Sequence, residues 1–309
     1  MRSTLPGILL AAAGFAFGHE ITGTPSPDCP EPTPEQKEAA YRSHVLKVLE
    51  GVRYREGTLD LPGNFARLDL PEGFRFLDSE DARRVVVDLW GNPPGGATDL
   101  LGLVVPAGEH LATSDSWAIV LSYHEIGHVL DEDAGRIDHD DLLARLQESS
   151  RLSNRARRFA GFNTMELSGW AVSPRYDAGR KVLHWAKRFE VASGGQATLN
   201  YDVRVLGRSG VMALNGISGI SRIRDIEAAS PAIISMLSFN EGFRYADFDP
   251  TTDPMAGYSL TGLVLGGAVA PEEPAEPGWM EQLSKPFLFG GLGLLLVLQR
   301  VFGRRKSAA

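Results

Sequence analysis

The sequence predicts an α+β fold, a mostly antiparallel sheet with interposed helices, completed by a C-terminal transmembrane helix. Three observations carry this prediction. Short segments of alternating apolar and polar residues recur in series, bounded by Gly, Pro and Asn turns. Segments with a 3.6-residue apolar period stand between groups of them rather than after every strand, which favours α+β over regular βαβ alternation. Finally, Pro286 to Leu298 carries no charge and Val301-Phe302 extends its apolar character. Glycine contributes 34 residues and proline 19, with no repeat period.

In chain order, residues 1–18 read as a signal peptide. Arg2 precedes a short apolar stretch from Leu5 to Phe17, and Ala16-Phe17-Gly18 supplies small-x-small cleavage spacing. Residues 19–34 contain Pro25, Pro27, Pro30, Pro32 and Pro34 and form a flexible leader with too little apolar surface to pack. Residues 35–270 form an extracytoplasmic α+β body. Within it, Glu35 to Leu49 reads as an amphipathic helix. Thr58 to Leu61, Phe65 to Leu70 and Phe74 to Phe76 read as a meander, with turns at Pro62-Gly63-Asn64 and Pro71-Glu72-Gly73. Asp78 opens a helix that extends to Trp90, and Gly91-Asn92-Pro93-Pro94 closes it.

Leu100 to Val105 and Trp117 to Tyr123 are further strands, and Asp138 starts a helix that runs on to Phe159. Thr164 to Val172, Lys181 to Glu190, Thr198 to Leu206 and Val211 to Ile217 are four strands in series. Ile223 to Phe239 is helical and breaks or bends at Pro231. Residues 271–282 are a Pro/Glu-rich linker, 283–303 the transmembrane helix and 304–309 a basic cytoplasmic tail. The 17 residues from Pro286 to Phe302 rise about 25 Å as a helix, just short of a ~30 Å hydrocarbon layer that Lys285 and Arg300 can reach past by snorkelling. Arg304-Arg305-Lys306 places the tail inside and the body outside, the same orientation that the N-terminal signal implies.

Charge and cysteine content exclude several classes. All 39 acidic residues lie between His19 and Ser284 alongside 25 of the 31 Lys and Arg, a net charge of −14. So acidic a body lacks the basic footprint of a non-specific nucleic-acid binder. A local exception is Arg151, Arg155, Arg157 and Arg158, whose ordinary reading is a solvated helix face. The single cysteine, Cys29, allows neither an intrachain disulfide nor a Cys-rich zinc site. No Gly-rich loop has Walker or Rossmann spacing, and no Gly-x-Ser-x-Gly elbow nominates a nucleophile.

One motif carries chemistry. His124-Glu125-Ile126-Gly127-His128 satisfies H-E-x-x-H. On a helix the two histidines would share a face as zinc ligands, and Glu125 would deprotonate the metal-bound water of a metallopeptidase. The local sequence opposes that helix. Trp117 to Tyr123 reads as strand, Gly127 costs a helix about 1 kcal/mol, and Asp131-Glu132-Asp133 would crowd its negative end. In extended chain the imidazoles stand about 13 Å apart and cannot share one ion. The expectation is a turn or strand edge without a cofactor, with zinc at His124 and His128 and catalysis by Glu125 as the alternative. A weaker set, Asp177, His184, Trp185, Asn200, Tyr201, Asp202, Arg204 and Arg208, either lines a polar cleft or forms cross-strand pairs.

Asp88-Leu89-Trp90-Gly91-Asn92-Pro93, Gly169-Trp170-Ala171 with Pro174 and Tyr176-Asp177, and Leu183-His184-Trp185-Ala186 form an ordered set. Leu199 to Arg208 and Tyr245-Ala246-Asp247-Phe248 complete it. Together they resemble the family of bacterial membrane-anchored proteins carrying domain of unknown function 2167, over roughly Gly57 to Gly267. The resemblance implies an envelope-located body with membrane attachment and carries no catalytic residues. The segment Gly127 to Ala134 looks like that family's glycine, valine and acidic stretch rather than a zinc-protease helix. The functional expectation is a membrane-anchored extracytoplasmic protein with an envelope interaction or maintenance role. Its partners are the lipid bilayer and envelope proteins, and nucleic acid is not among them.

Overall fold

The alternating segments assemble into two antiparallel sheets in a computed structural model, which describes residues 33–90, 99–113, 116–159, 164–191 and 197–266. Helix α1, Pro34–Leu49, is set by a capping box: Thr33 accepts from Gln36 N, and Gln36 Oε1 accepts from Thr33 N at 2.8 Å. Strands β1 (Thr58–Asp60), β2 (Ala66–Asp69) and β3 (Phe74–Asp78) follow. Asp78 then caps α2, Ser79–Arg83, which widens into a π-helical turn over Arg84–Leu89. Strands β4 (Leu100–Pro106) and β5 (Ala118–His124) lead to α3, His139–Phe159. Four strands follow in series: β6 (Met165–Asp177), β7 (Val182–Val191), β8 (Thr198–Leu206) and β9 (Val211–Gly219). Helix α4 (Ile223–Ser235), strand β10 (Leu237–Phe239) and the short α5 (Leu260–Val264) complete the described body.

The large sheet runs β3-β4-β5-β9-β8-β7-β6, and the small one runs β1-β2-β10. The mixed α+β, antiparallel architecture is therefore as the sequence predicts. Two details differ. The three-strand meander does not form, because β2 pairs with β1 on one edge and β10 on the other, which sends β3 to the edge of the large sheet. The helix after Ile223 runs through Pro231 to Ser235, so of the break or bend expected there no break occurs. Proline removes the N–H that would bond the Glu227 carbonyl, and Ser230 Oγ donates to that oxygen at 2.9 Å in its place. The segment ends as β10 rather than helix.

Two cores flank the large sheet. One contains Leu77, Leu103, Val120, Leu183, Trp185 and Leu206 and packs under α1, α2, α3 and α5. The other contains Leu121, Leu199, Val203, Leu214 and Ile226 and packs under α4 and the small sheet. Both faces of the central strands are thus buried, and β8 and β9 carry near-continuous burial. Among the described residues no helix is long and apolar enough to cross a membrane. The signal peptide, nearly all of the leader, the 271–282 linker, the 283–303 helix and the tail lie outside the described residues.

Candidate functional site

The polar residues of the central strands are sorted by parity. Trp185, Lys187, Asn200, Asp202, Arg204 and Asn215 share the face that carries α3 and α5, because Trp185 registers with Asp202 and Asp202 with Asn215. His184 and Tyr201 point to the opposite face, where Tyr201 Oη and His184 Nδ1 lie 3.0 Å apart. Asp177 caps the following turn by accepting from Gly179 N and Arg180 N. The eight residues grouped by sequence therefore do not line one cleft.

On the shared face, Asp202 is the hub. Lys187 Nζ lies 3.1 Å from its Oδ2 and Arg204 Nη2 3.1 Å from its Oδ1. Arg204 also donates to Asn215 Oδ1 at 3.0 Å, and its guanidinium stands 5.1 Å from the Trp185 ring centre. Asp202 is 2% exposed. One buried carboxylate serving two cations leaves a net positive charge in a low-dielectric setting, which makes each contact costly to lose.

His124, at the end of β5, faces the same strip. Ser122 Oγ lies 3.3 Å from its Nε2, and Asp99 Oδ2 lies 3.9 Å from its Nδ1. This order of groups matches an acyl-transfer triad, but the burial runs the wrong way. A hydrolase exposes its serine to substrate and buries its acid. Here Ser122 is 1% exposed, while the Asp99 side chain is 56% exposed. The arrangement orients the imidazole rather than activating the serine. Burial, with the Arg204 charge in the same direction, lowers the His124 pKa below its ordinary value, and Asp99 opposes them.

His128 belongs to a different neighbourhood. Its ring stacks on Phe248 at 3.8 Å and lies 4.2 Å from Tyr245, and its Nδ1 is 3.1 Å from the Arg208 carbonyl. Burial lowers its pKa, and the surrounding backbone and carboxylates only partly offset that effect. The helix that would bring the two histidines together does not form: β5 ends at His124, and Gly127 adopts φ +88°. His124 and His128 are held by different partners on different elements, and Glu125 leads into the turn between them. Among the described residues no three His, Cys, Asp or Glu side chains gather as a metal-holding group. The H-E-x-x-H residues therefore do not stand on the shared helix face that zinc binding at this spacing uses.

Instead, the segment after His124 is a latch. His128 N donates to Pro254 O at 2.8 Å, and Ala256 N donates to His128 O at 2.9 Å. Asp131 receives Lys181 Nζ at 2.7 Å, Tyr176 Oη at 2.6 Å and Tyr245 Oη at 3.1 Å. Asp133 accepts from Ser259 Oγ, Leu260 N and Thr261 N and so fixes the start of α5. Arg208 grips Asp253 through two bonds of 2.7 and 2.9 Å. Asp131 and Asp133 thus anchor distant segments, whereas Asp138 caps α3 and Asp140 and Asp141 stand exposed. Asp99, Lys187, Asn215, Lys181 and Asp253 were missed, since none stands near its partner along the chain. Alternation along β7 alone could have placed Lys187 beside Trp185.

Taken together, these features define an α+β body with a salt-linked sheet interior and a latched loop cluster. The family model described as "Protein of unknown function (DUF2167)" matches residues 53–273, and the chain belongs to that family. No curated protein matches the sequence. Among solved structures, cyanobacterial PsbP (CyanoP) from Synechocystis sp. PCC 6803 is 12% identical with a TM-score of 0.34, covering 59% of this chain and 91% of that one. The Saccharomyces cerevisiae Ran-binding protein Mog1p is 10% identical with a TM-score of 0.27, covering 59% and 84%.

Proposed function

We propose that this chain is a membrane-anchored extracytoplasmic protein whose body acts by binding, in an envelope interaction or maintenance role, rather than by hydrolysis. The observation that carries the reading is the separation of His124 from His128. One imidazole is oriented by Ser122 and Asp99, the other is clamped between Phe248 and Tyr245. With the imidazoles held by different partners, Glu125 does not share a helix face with two metal ligands, which supports binding over metal-assisted hydrolysis. The attachment rests on the apolar stretches at Leu5–Phe17 and Pro286–Phe302, with the basic cluster after the second. The partners are the bilayer itself and envelope proteins.

Reporter fusions near Asp140 test the orientation: activity confined to the extracytoplasmic side is expected, and activity only in the cytoplasm overturns it. Full-length protein should resist alkaline carbonate extraction, and deletion of residues 283–309 should release it. Zinc determination on the purified protein tests the alternative. Stoichiometric zinc lost on His124→Ala and on His128→Ala would restore the metallopeptidase.

A further inference from the structure

Helix α3 carries a feature that neither core uses. Leu142 and Leu146 pack into the core. Gln147, Ser150 and Asn154 bind the backbone of the edge strand β6: Gln147 Nε2 donates to Leu167 O, Ser150 Oγ to Met165 O and Asn154 Nδ2 to Met165 O. Arg151, Arg155 and Arg158 stand at i, i+4 and i+7, one stripe of a 3.6-residue helix, and all three are exposed. Leu152 borders the stripe and is 53% exposed, one of few large apolar side chains so open. Among the described residues, Glu148 bonds Arg151 at 2.8 Å and offsets part of the charge. A helix C-terminus attracts cations through its dipole, which accounts for an arginine in the last turn. It does not account for a stripe two turns long beside an exposed leucine.

We propose that this stripe is a docking surface for an anionic phospholipid headgroup layer. The proposal rests on the membrane-anchored reading above. Basic residues flanked by an exposed apolar side chain are the composition that seats a helix at a charged bilayer interface. The stripe is positive on a body whose overall charge is negative, so an anionic bilayer would be drawn to this face and repelled elsewhere. Reach permits the contact. Nineteen residues separate Gly266 from Pro286, a span of up to about 60 Å when extended. Helix α3, at 21 residues, is only about 31 Å long, and its first residues lie close to α5 through Asp133 and the adjoining turn.

The test uses the full chain with Cys29→Ser and Leu152→Cys, the new thiol carrying an environment-sensitive fluorophore. The protein is reconstituted into vesicles of phosphatidylcholine alone or mixed with phosphatidylglycerol. Emission should rise several-fold and shift to the blue only in the anionic vesicles, and high salt should reverse the change. Arg151→Gln, Arg155→Gln and Arg158→Gln combined should abolish it, with circular dichroism confirming an unchanged fold. Equal emission in both vesicle types overturns the proposal, as does a signal that survives in the triple variant. A rise produced by soluble polyglutamate but not by anionic vesicles also overturns it, in favour of an acidic polypeptide partner. Flotation of the same samples reads the anchor separately. Protein that fails to float with phosphatidylcholine vesicles refutes the anchored reading, whatever position 152 reports.

Discussion

Lys181 reaches Asp131 across fifty positions of sequence, Nζ to Oδ2 at 2.7 Å, from a left-handed backbone with φ +57°. A non-glycine residue held there is strained. The strain places the ammonium both on the carboxylate and 4.6 Å from the Tyr245 ring centre.

Asp131→Ala should therefore loosen the whole latch. It strips Tyr176, Tyr245 and Lys181 of one shared acceptor; the half-buried Tyr176 phenol loses its partner, while Tyr245 keeps the Val129 carbonyl. We expect a loss of about 1–3 kcal/mol in urea unfolding, with earlier proteolytic cutting in the 242–261 loop. Wild-type stability and unchanged proteolysis would show that the latch contributes nothing.

Gly127→Ala attacks the same latch through the backbone. Gly127 has φ +88°, and a Cβ there would stand 2.7 Å from the Met255 carbonyl carbon and 2.8 Å from Ala256 N. Backbone atoms cannot swing aside as a side chain does. The substitution should cost about 1–3 kcal/mol and expose the same loop to protease, while Gly108→Ala, with positive φ but open space around it, costs less.

Asp202→Ala should be the most damaging single change in the sheet. It leaves the buried Lys187 and the partly buried Arg204 without the carboxylate they share. Removing one member of a buried ion cluster typically costs about 3–5 kcal/mol. Adding Lys187→Met should restore part of the loss, because it withdraws one of the two stranded cations. An additive double mutant would refute the coupling.

Stability should fall as pH drops through about 6.5, the ordinary histidine value. Burial lowers the pKa of His124, His128 and His184, so the folded protein holds them neutral where the unfolded chain binds protons. The unfolded state then gains protons first, and the stability present above that pH is lost below it. His128→Asn should flatten the dependence of the urea midpoint on pH. At much lower pH a second loss follows. Hydrogen bonds from Arg208 and the Asp249 backbone hold the Asp253 pKa at about 2, below its ordinary 3.8, so its contribution is complete above 3.8 and disappears as pH falls through about 2.

Local sequence determined most elements of the described body. Asp138 capping α3, the β7 and β8 alternation, and Gly127 in a non-helical turn are each readable from a few adjacent residues, because caps, periodicity and left-handed turns are local energies. The family was legible too, through short ordered fragments. What only the tertiary structure decided were the pairings between distant segments. β5 lies beside β9, with the whole α3-to-β8 segment between them. That register sets Ser122 facing Arg204 across Ala213 and sorts Asp202 from Tyr201. The same closure separates His124 from His128 by giving each a partner from elsewhere, Asp99 for one and Phe248 for the other. Spacing along the chain fixes which side chains could share a helix face. Pairing with β9 and with a returning loop decides whether the helix forms at all, since tertiary contacts outweigh the small local preference of a five-residue motif.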